Sequence, residues 1–294
     1  MAHILKNKNI EIKLDLPIEN YNFSRFDWTG KIIALSFQGV QLASRENLDI
    51  EQAHSSGKGF YNEFGIDTAL GFEATAIGGW FHKIGIGLLK KEDAKYHCAK
   101  NYKIKPANFQ VTATPNMLSI NCISAIVNGY SYLLKKEIEL QGNGFVLRYH
   151  LKNTGEKEII TDEYVHNFMT IGTDSIGADY TLKFPFPLKP VLFEETVNPE
   201  QKVMLGDRTI KFTGTPHEPF FFSNLSGAER VASQWELTHF KSKIGIRETG
   251  NFQTDKVNVW GTKHVISPEL FIKIQLKPGQ SASWTRTYDL FKTP

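Results

Sequence analysis

The first group in this sequence equipped for proton transfer is an imidazole between two aromatic rings. The stretch Thr161-Asp-Glu-Tyr-Val-His-Asn-Phe-Met-Thr170 reads as a strand, because Tyr, Val, Phe and Thr suit a pleated, half-buried surface. Side chains alternate across a strand, so Tyr164, His166, Phe168 and Thr170 share one face and Val165, Asn167 and Met169 the other. An acid or base set in an aromatic floor is the equipment for chemistry on a sugar ring. The ordinary alternative is a half-buried histidine hydrogen-bonded within a sheet.

Four other stretches carry groups of comparable promise. In Ser24-Arg25-Phe-Asp-Trp-Thr-Gly30 a guanidinium sits among aromatics and needs a carboxylate, either Asp27 or one from a loop, or a polar ligand. In Gly79-Trp80-Phe-His-Lys83 a regular strand puts Trp80 and His82 on one face and Lys83 on the other. Val257-Asn-Val-Trp260-Gly-Thr offers a further tryptophan face for stacking. In Ile266-Ser-Pro-Glu269-Leu-Phe-Ile-Lys-Ile-Gln-Leu276, Ile266, Leu270, Ile272, Ile274 and Leu276 fill one face and Glu269 points to the other, just after a proline. Taken alone, Glu269 reads as a surface glutamate.

Other chemistries find less support. The nine histidines form no His-x-His pair or zincin motif, so no metal site is expected. Ser55-Ser-Gly-Lys58 matches Ser-x-x-Lys but lacks the partner motifs. Gly85-Ile-Gly87 lacks the third glycine and the helix of a dinucleotide fingerprint, and no cofactor is expected. Cys98 and Cys122 fit no redox or metal spacing and read as free thiols in a reducing compartment. The net charge of +3 comes from 34 basic and 31 acidic residues interspersed along the chain, which gives no nucleic-acid footprint. No apolar run is long enough to span a bilayer, and the first residues lack a signal-peptide core, so the expectation is a cytoplasmic protein without membrane contact.

The elements that must position these groups are strands. Residues 9–19 alternate cleanly up to Pro17, and Tyr21–Gly30 and Ile32–Leu42 follow as strands. Residues 44–79 lose periodicity and are glycine-rich, which suggests a long functional loop over one mouth of the sheet. From Trp80–Leu89 onward, through Tyr96–Lys105 and beyond, strands recur about every ten residues to the end of the chain, the rhythm of an all-β protein. Tyr180–Pro187 and Val191–Thr196 carry prolines and read as edge strands. Short helical turns are expected near Asp67–Leu70, Glu92–Lys95 and Pro199–Val203. With 41% hydrophobic residues and no repeat or linker, residues 1–294 read as one domain of two large sheets packed face to face.

The ordered set of stretches has a resemblance. Ser-Arg25-Phe-Asp-Trp-Thr-Gly, Asn62-Glu-Phe-Gly65, Phe81-His-Lys-Ile-Gly-Ile-Gly-Leu-Leu-Lys90, Tyr164-Val-His-Asn-Phe168, Ser267-Pro-Glu-Leu-Phe271 and Leu276-Lys-Pro-Gly-Gln-Ser-Ala-Ser-Trp284-Thr-Arg-Thr-Tyr288 follow one another. In that order they resemble the galactose mutarotase-like (aldose 1-epimerase) superfamily, over roughly Asp15 to Phe291. The resemblance implies a single large antiparallel β-supersandwich and an enzyme that interconverts the α and β anomers of an aldose, without cofactor or metal. It implies His166 as general acid and Glu269 as general base on opposite sides of the sugar, with Arg25 on its hydroxyls. His82 is the nearest counterpart of a second sugar-binding histidine, with Lys83 as the other candidate, and Trp80, Tyr164 and Trp260 would line the ring. The family's hydroxyl-binding aspartate has no match here. The expected ligand is a monosaccharide or sugar derivative and the expected assembly a monomer or homodimer. The competing reading is a non-catalytic carbohydrate-binding protein on the same scaffold. A lyase-like or structural module of a larger polysaccharide-processing system fits less well.

Overall fold

Alternating burial runs along the long strands and divides them between two facing layers. The computed structural model describes residues 3–49 and 55–294. One layer is a ten-stranded antiparallel sheet. Its order is β16 (Val203–Leu205), β17 (Thr209–Phe212), β14 (Tyr180–Lys183), β19 (Val231–His239), β20 (Ile244–Thr254), β24 (Ser281–Lys292), β12 (Gly144–Asn153), β11 (Tyr132–Gln141), β10 (Met117–Ile123) and β9 (Asn108–Thr114). In β11 nearly every second side chain is buried, the signature of a sheet with one covered face.

The other layer is composite. Its larger part runs β1 (His3–Lys6), β2 (Ile10–Asp15), β3 (Lys31–Phe37), β5 (Phe60–Phe64), β13 (Ile159–Asn167) and β23 (Ile272–Leu276), with β4 (Val40–Gln41) on β3. Its smaller part runs β15 (Thr196–Val197), β18 (Phe220–Phe222), β21 (Val257–Thr262) and β22 (Val265–Leu270). A bridge between Met169 and Ile266 joins the two parts. A hairpin of β6 (Trp80–Lys83) and β7 (Gly87–Lys90), with β8 (Ile104–Pro106) beside it, lies on the outer face of this layer. The architecture is the expected all-β sandwich; no α-helix occurs among the described residues.

Two hydrophobic cores result. The main one fills the space between the layers with residues such as Leu147, Trp235, Ile246, Val165 and Leu270. A smaller, aromatic core lies on the outer face of the composite layer, made by Tyr21, Phe26, Trp28, Tyr61, Phe72, Phe81, Tyr102 and Phe168. Strand β5 and the Glu163–Asn167 half of β13 are therefore buried on both faces.

Several local expectations give way. Tyr21–Gly30 is an irregular buried segment rather than a strand. Asp27 turns its carboxylate onto the Thr29 N–H at 2.6 Å, a local bond that competes with a ladder. Trp80–Leu89 is a hairpin, because Gly85 takes a positive φ of 83° and its Cα lies against Asp27 with no room for a side chain. The expected loop of 44–79 contains β5, whose five residues are all buried and so show no alternation. Residues 50–54 of that stretch lie outside the described residues. Tyr96–Lys105 is loop up to Ile104, and Val191–Thr196 opens with a 3-10 turn at Pro190–Leu192. The turns near Asp67, Glu92 and Pro199 form no helix, and β14 lies inside its sheet, between β17 and β19.

Candidate active site

Strand β13 carries the site on its outer face. It pairs with β5 in a register that sets Tyr164 beside Glu63 and His166 beside Tyr61. On its other side it pairs with β23 up to Glu163 opposite Ile272, and the bridge Met169–Ile266 keeps the same register beyond. Continued through the gap, that register sets Tyr164 opposite Phe271 and His166 opposite Glu269. The side chains agree. The rings of Tyr164 and Phe271 stack at 4.5 Å, and His166 Nε2 lies 3.4 Å from Glu269 Oε1. Two residues 103 positions apart in the chain are cross-strand neighbours.

Both members of this pair are nearly sealed, with about 6% of each side chain exposed. The imidazole stacks on Phe168 at 3.9 Å and meets the rings of Trp260 at 5.4 Å and Phe26 at 6.2 Å edge-on. Its Nδ1 is buried and has no hydrogen-bond partner among the described residues. Glu269 receives one hydrogen bond, from the Ser267 hydroxyl at 3.3 Å. Burial disfavours charge on either group. It pushes the Glu269 carboxyl up to about 8, against the opposing pull of Arg25. It pushes His166 well below the ordinary histidine range, and Arg25 adds to that. Burial thus favours a carboxylic acid next to a neutral imidazole, with one transferable proton between them.

Beside the pair lies a charged cluster centred on Glu63, which is fully buried. Glu63 receives Arg25 Nε at 3.1 Å, Lys83 Nζ at 3.1 Å and the Tyr164 hydroxyl at 2.8 Å. Burial alone would raise its pKa, but Lys83 and Arg25 outweigh it and hold the carboxyl below the usual range. Lys83 also donates to the Tyr96 hydroxyl at 2.8 Å and the Gly65 carbonyl at 3.1 Å, which satisfies its three protons. Arg25 extends to Glu46 at 3.1 Å and packs over the Phe26 ring at 4.5 Å. A cavity of about 400 Å³ opens at Arg25, lined also by Tyr21, Phe23, Glu46, Ala99 and Lys100.

The structure thus brings His166, Glu269, Arg25, Tyr164 and Trp260 together, and leaves Trp80 and His82 elsewhere. Both lie on the other face of β6, as alternation requires of neighbours of Lys83. His82 is buried against the Tyr132 ring at 5.9 Å, and its pKa is pushed down to about 4 by burial. Trp80 is half-buried under Lys105, whose Nζ is 4.1 Å from the ring centre. Neither reaches the pair, so both lose the sugar-contact reading. Lys83 lies in the cluster, but at 1% exposure it holds Glu63 and does not face a ligand. His166 and Glu269 themselves depart from the expected placement on opposite sides of a sugar. At 3.4 Å they leave no gap for a ring between them. Glu63, Glu46, Phe26 and Tyr96 join the site without a role expected from sequence. Glu63 stands in Asn62-Glu-Phe-Gly65, one of the stretches that carry the resemblance, but nothing there marks it out for a role.

The fold is galactose mutarotase-like. Solved structures similar to this chain along nearly their whole length include three proteins. A galactose mutarotase related enzyme from Lactobacillus acidophilus has a TM-score of 0.62 at 13% identity and covers 100% of this chain and 98% of its own. A galactose mutarotase-like protein from Clostridium acetobutylicum has a TM-score of 0.62 at 12% identity, with 99% and 95% covered. The GalM/aldose epimerase homologue from C. elegans has a TM-score of 0.57 at 11% identity, with 100% of both chains covered. At such identities the likeness carries the fold and nothing finer. No protein-family model and no curated protein matches the sequence. No helix among the described residues is long and apolar enough to cross a membrane.

Proposed function

We propose that the protein is an aldose 1-epimerase-like isomerase, which interconverts the α and β anomers of a monosaccharide by acid–base ring opening. The observation that carries this reading is the contact between His166 and Glu269, sealed among aromatic rings and holding one proton between two neutral groups. The two oxygens that must exchange protons in a cyclic hemiacetal, the ring oxygen and the anomeric hydroxyl, share one carbon. Adjacent groups on one side of the sugar serve both. The Glu269 carboxyl gives its proton to the ring oxygen as the bond from that oxygen to the anomeric carbon breaks. The imidazole takes the anomeric hydroxyl proton, and the carbonyl forms. The pair is then a carboxylate beside an imidazolium, whose mutual attraction offsets part of the cost of separating charge in a dry site. Rotation of the aldehyde and the reverse proton transfers give the other anomer. Acid and base are exchanged relative to the family expectation, because burial leaves the proton on the carboxyl. Each positioned group contributes roughly 10²–10⁴-fold. Arg25 and Trp260 flank the pair as the hydroxyl-binding and ring-stacking groups.

A second reading, a carbohydrate-binding protein without turnover, is favoured by one feature: the cavity at Arg25 is not lined by His166 or Glu269. The two readings part in a single experiment on the parent protein. Exchange between the anomers of D-glucose and D-galactose is followed by saturation-transfer NMR beside a titration of the same sugars. Exchange above the buffer rate supports the isomerase. Saturable binding at the buffer rate supports the binding protein.

A further inference from the structure

The site lies where a strand ladder is interrupted. The pairing of β13 with β23 ends at Glu163–Ile272 and resumes at Met169–Ile266, where the two residues exchange both backbone bonds at 3.0 and 3.1 Å. In an antiparallel ladder such pairs recur every second residue, so the next two belong at Asn167–Pro268 and Val165–Leu270. Pro268 has no N–H to give. In place of ladder bonds, the carbonyls on the two sides of Glu269 are taken by side chains. Asn167 Nδ2 donates to the Pro268 carbonyl at 2.6 Å. Arg286 Nη2 donates to the Leu270 carbonyl at 2.8 Å.

Asn167 is itself held from the opposite layer, to which Arg286 belongs. Arg286 stands on β24 and is wholly buried, with Nη2 2.7 Å from Glu163 and Nη1 2.6 Å from Glu248. Asn167 Oδ1 accepts the Tyr288 hydroxyl at 3.0 Å, and its Nδ2 also lies 3.2 Å from Glu248. Indole N–H groups complete the carboxylates, Trp284 on Glu163 at 3.0 Å and Trp235 on Glu248 at 2.8 Å. Trp284, Arg286 and Tyr288 are alternate residues of one strand, all facing inward. None of these groups reaches His166 or Glu269. They grip the backbone that carries them.

We propose that Asn167 is a positioning residue for the His166–Glu269 pair: it fixes the peptide unit that precedes Glu269 across the interrupted ladder, and so sets the distance between carboxyl and imidazole. This rests on the acid–base reading of the site. Two variants test it, Asn167→Ala and the milder Tyr288→Phe, which frees the Asn167 amide to turn. Each is assayed for kcat and KM in anomer exchange of D-glucose. In the same samples, the titrations of the His166 ring and the Glu269 carboxyl are followed by NMR, a readout that does not need turnover. A misplacement of about an ångström costs on the order of 10²-fold, so kcat is expected to fall about 10–100-fold in Asn167→Ala and several-fold in Tyr288→Phe, with KM within about twofold. The Glu269 midpoint is expected to drop by about a unit or more as the carboxyl leaves its dry contact. Unchanged kcat and unchanged midpoints in a folded variant overturn the proposal. If the parent does not exchange anomers, the acid–base reading fails by itself, and the midpoints alone decide on positioning: a shift upholds it and no shift overturns it. If Asn167→Ala does not fold, Tyr288→Phe decides the matter by the same two readouts.

Discussion

His166 and Glu269 are opposite one another across two antiparallel strands at the point where those strands stop sharing backbone bonds. The contact is therefore set by register, and neither side chain can shift by one residue without turning to the other face of its strand. It also explains the protonation of the pair. Each group displaces water from the other, and the aromatic rings around them displace the rest.

The pH dependence of turnover follows from the two displaced pKa values. The active form needs a protonated Glu269 and a neutral His166. Burial holds the proton on Glu269 up to about pH 8 in the free protein, so kcat/KM falls above about that value. His166 gains a proton only well below the ordinary histidine range, so the acid limb lies far from neutrality. The predicted profile is flat around pH 7 and falls on the alkaline side, read from initial rates of anomer exchange corrected for the buffer reaction. A profile that falls through pH 6.5 on the acid side contradicts the assignment.

The same carboxyl makes folding pH-dependent. Its folded pKa is raised above the ordinary carboxyl value of 4.5 to about 8. The protonated form is therefore favoured by folding, and its contribution is present below 4.5 and lost as pH rises through 8. Glu269→Gln removes the loss. Its stability relative to the parent should therefore rise from about pH 5 to about pH 9, by a few kcal/mol at most, at about 1.4 kcal/mol per pKa unit. Urea denaturation at both pH values provides the comparison; a constant difference refutes the shift.

Glu63 depends on its cations. Lys83→Met leaves a fully buried carboxylate with Arg25 as its remaining cation and strips a donor from Tyr96 and from Gly65. The expected cost is about 3–5 kcal/mol of stability. A loss below about 1 kcal/mol would place the pair in the range of surface ion pairs, contrary to its burial.

His82 provides the contrast. It lies off the cluster, against the Tyr132 ring and the backbone of Val127 and Tyr130, so His82→Leu is expected to leave anomer exchange unchanged. Its folded pKa of about 4 lies below the ordinary histidine value of 6.5, so the stability it contributes is present above 6.5 and lost as pH falls through 4. The variant should thus gain on the parent in acid, in melting curves at about pH 7.5 and about pH 4.5. A large loss of exchange on His82→Leu would restore its place at the sugar.

Much of this fold is legible in the chain. Period-two patterning points to the sandwich, and alternation separates Lys83 from Trp80 and His82 and sets Tyr164 with His166. The meeting of His166 with Glu269 follows only from family resemblance, since no local pattern specifies which distant strands pair. Strand β5 escapes a pattern reading because burial on both faces erases alternation, and with it goes Glu63. Tyr21–Gly30 resembles a strand because aromatic burial is the same in an irregular segment. Asn167 faces away from His166, as alternation requires, but its part in the interrupted ladder becomes visible only once Pro268 is seen opposite it.

The measurement closest to the central claim is the anomer-exchange rate of D-glucose and D-galactose by saturation-transfer NMR at neutral pH, for the parent, His166→Asn and Glu269→Gln. The parent should exceed the buffer rate, and each variant should lose roughly 10²–10⁴-fold of that excess. Equal rates in all three proteins would contradict the account.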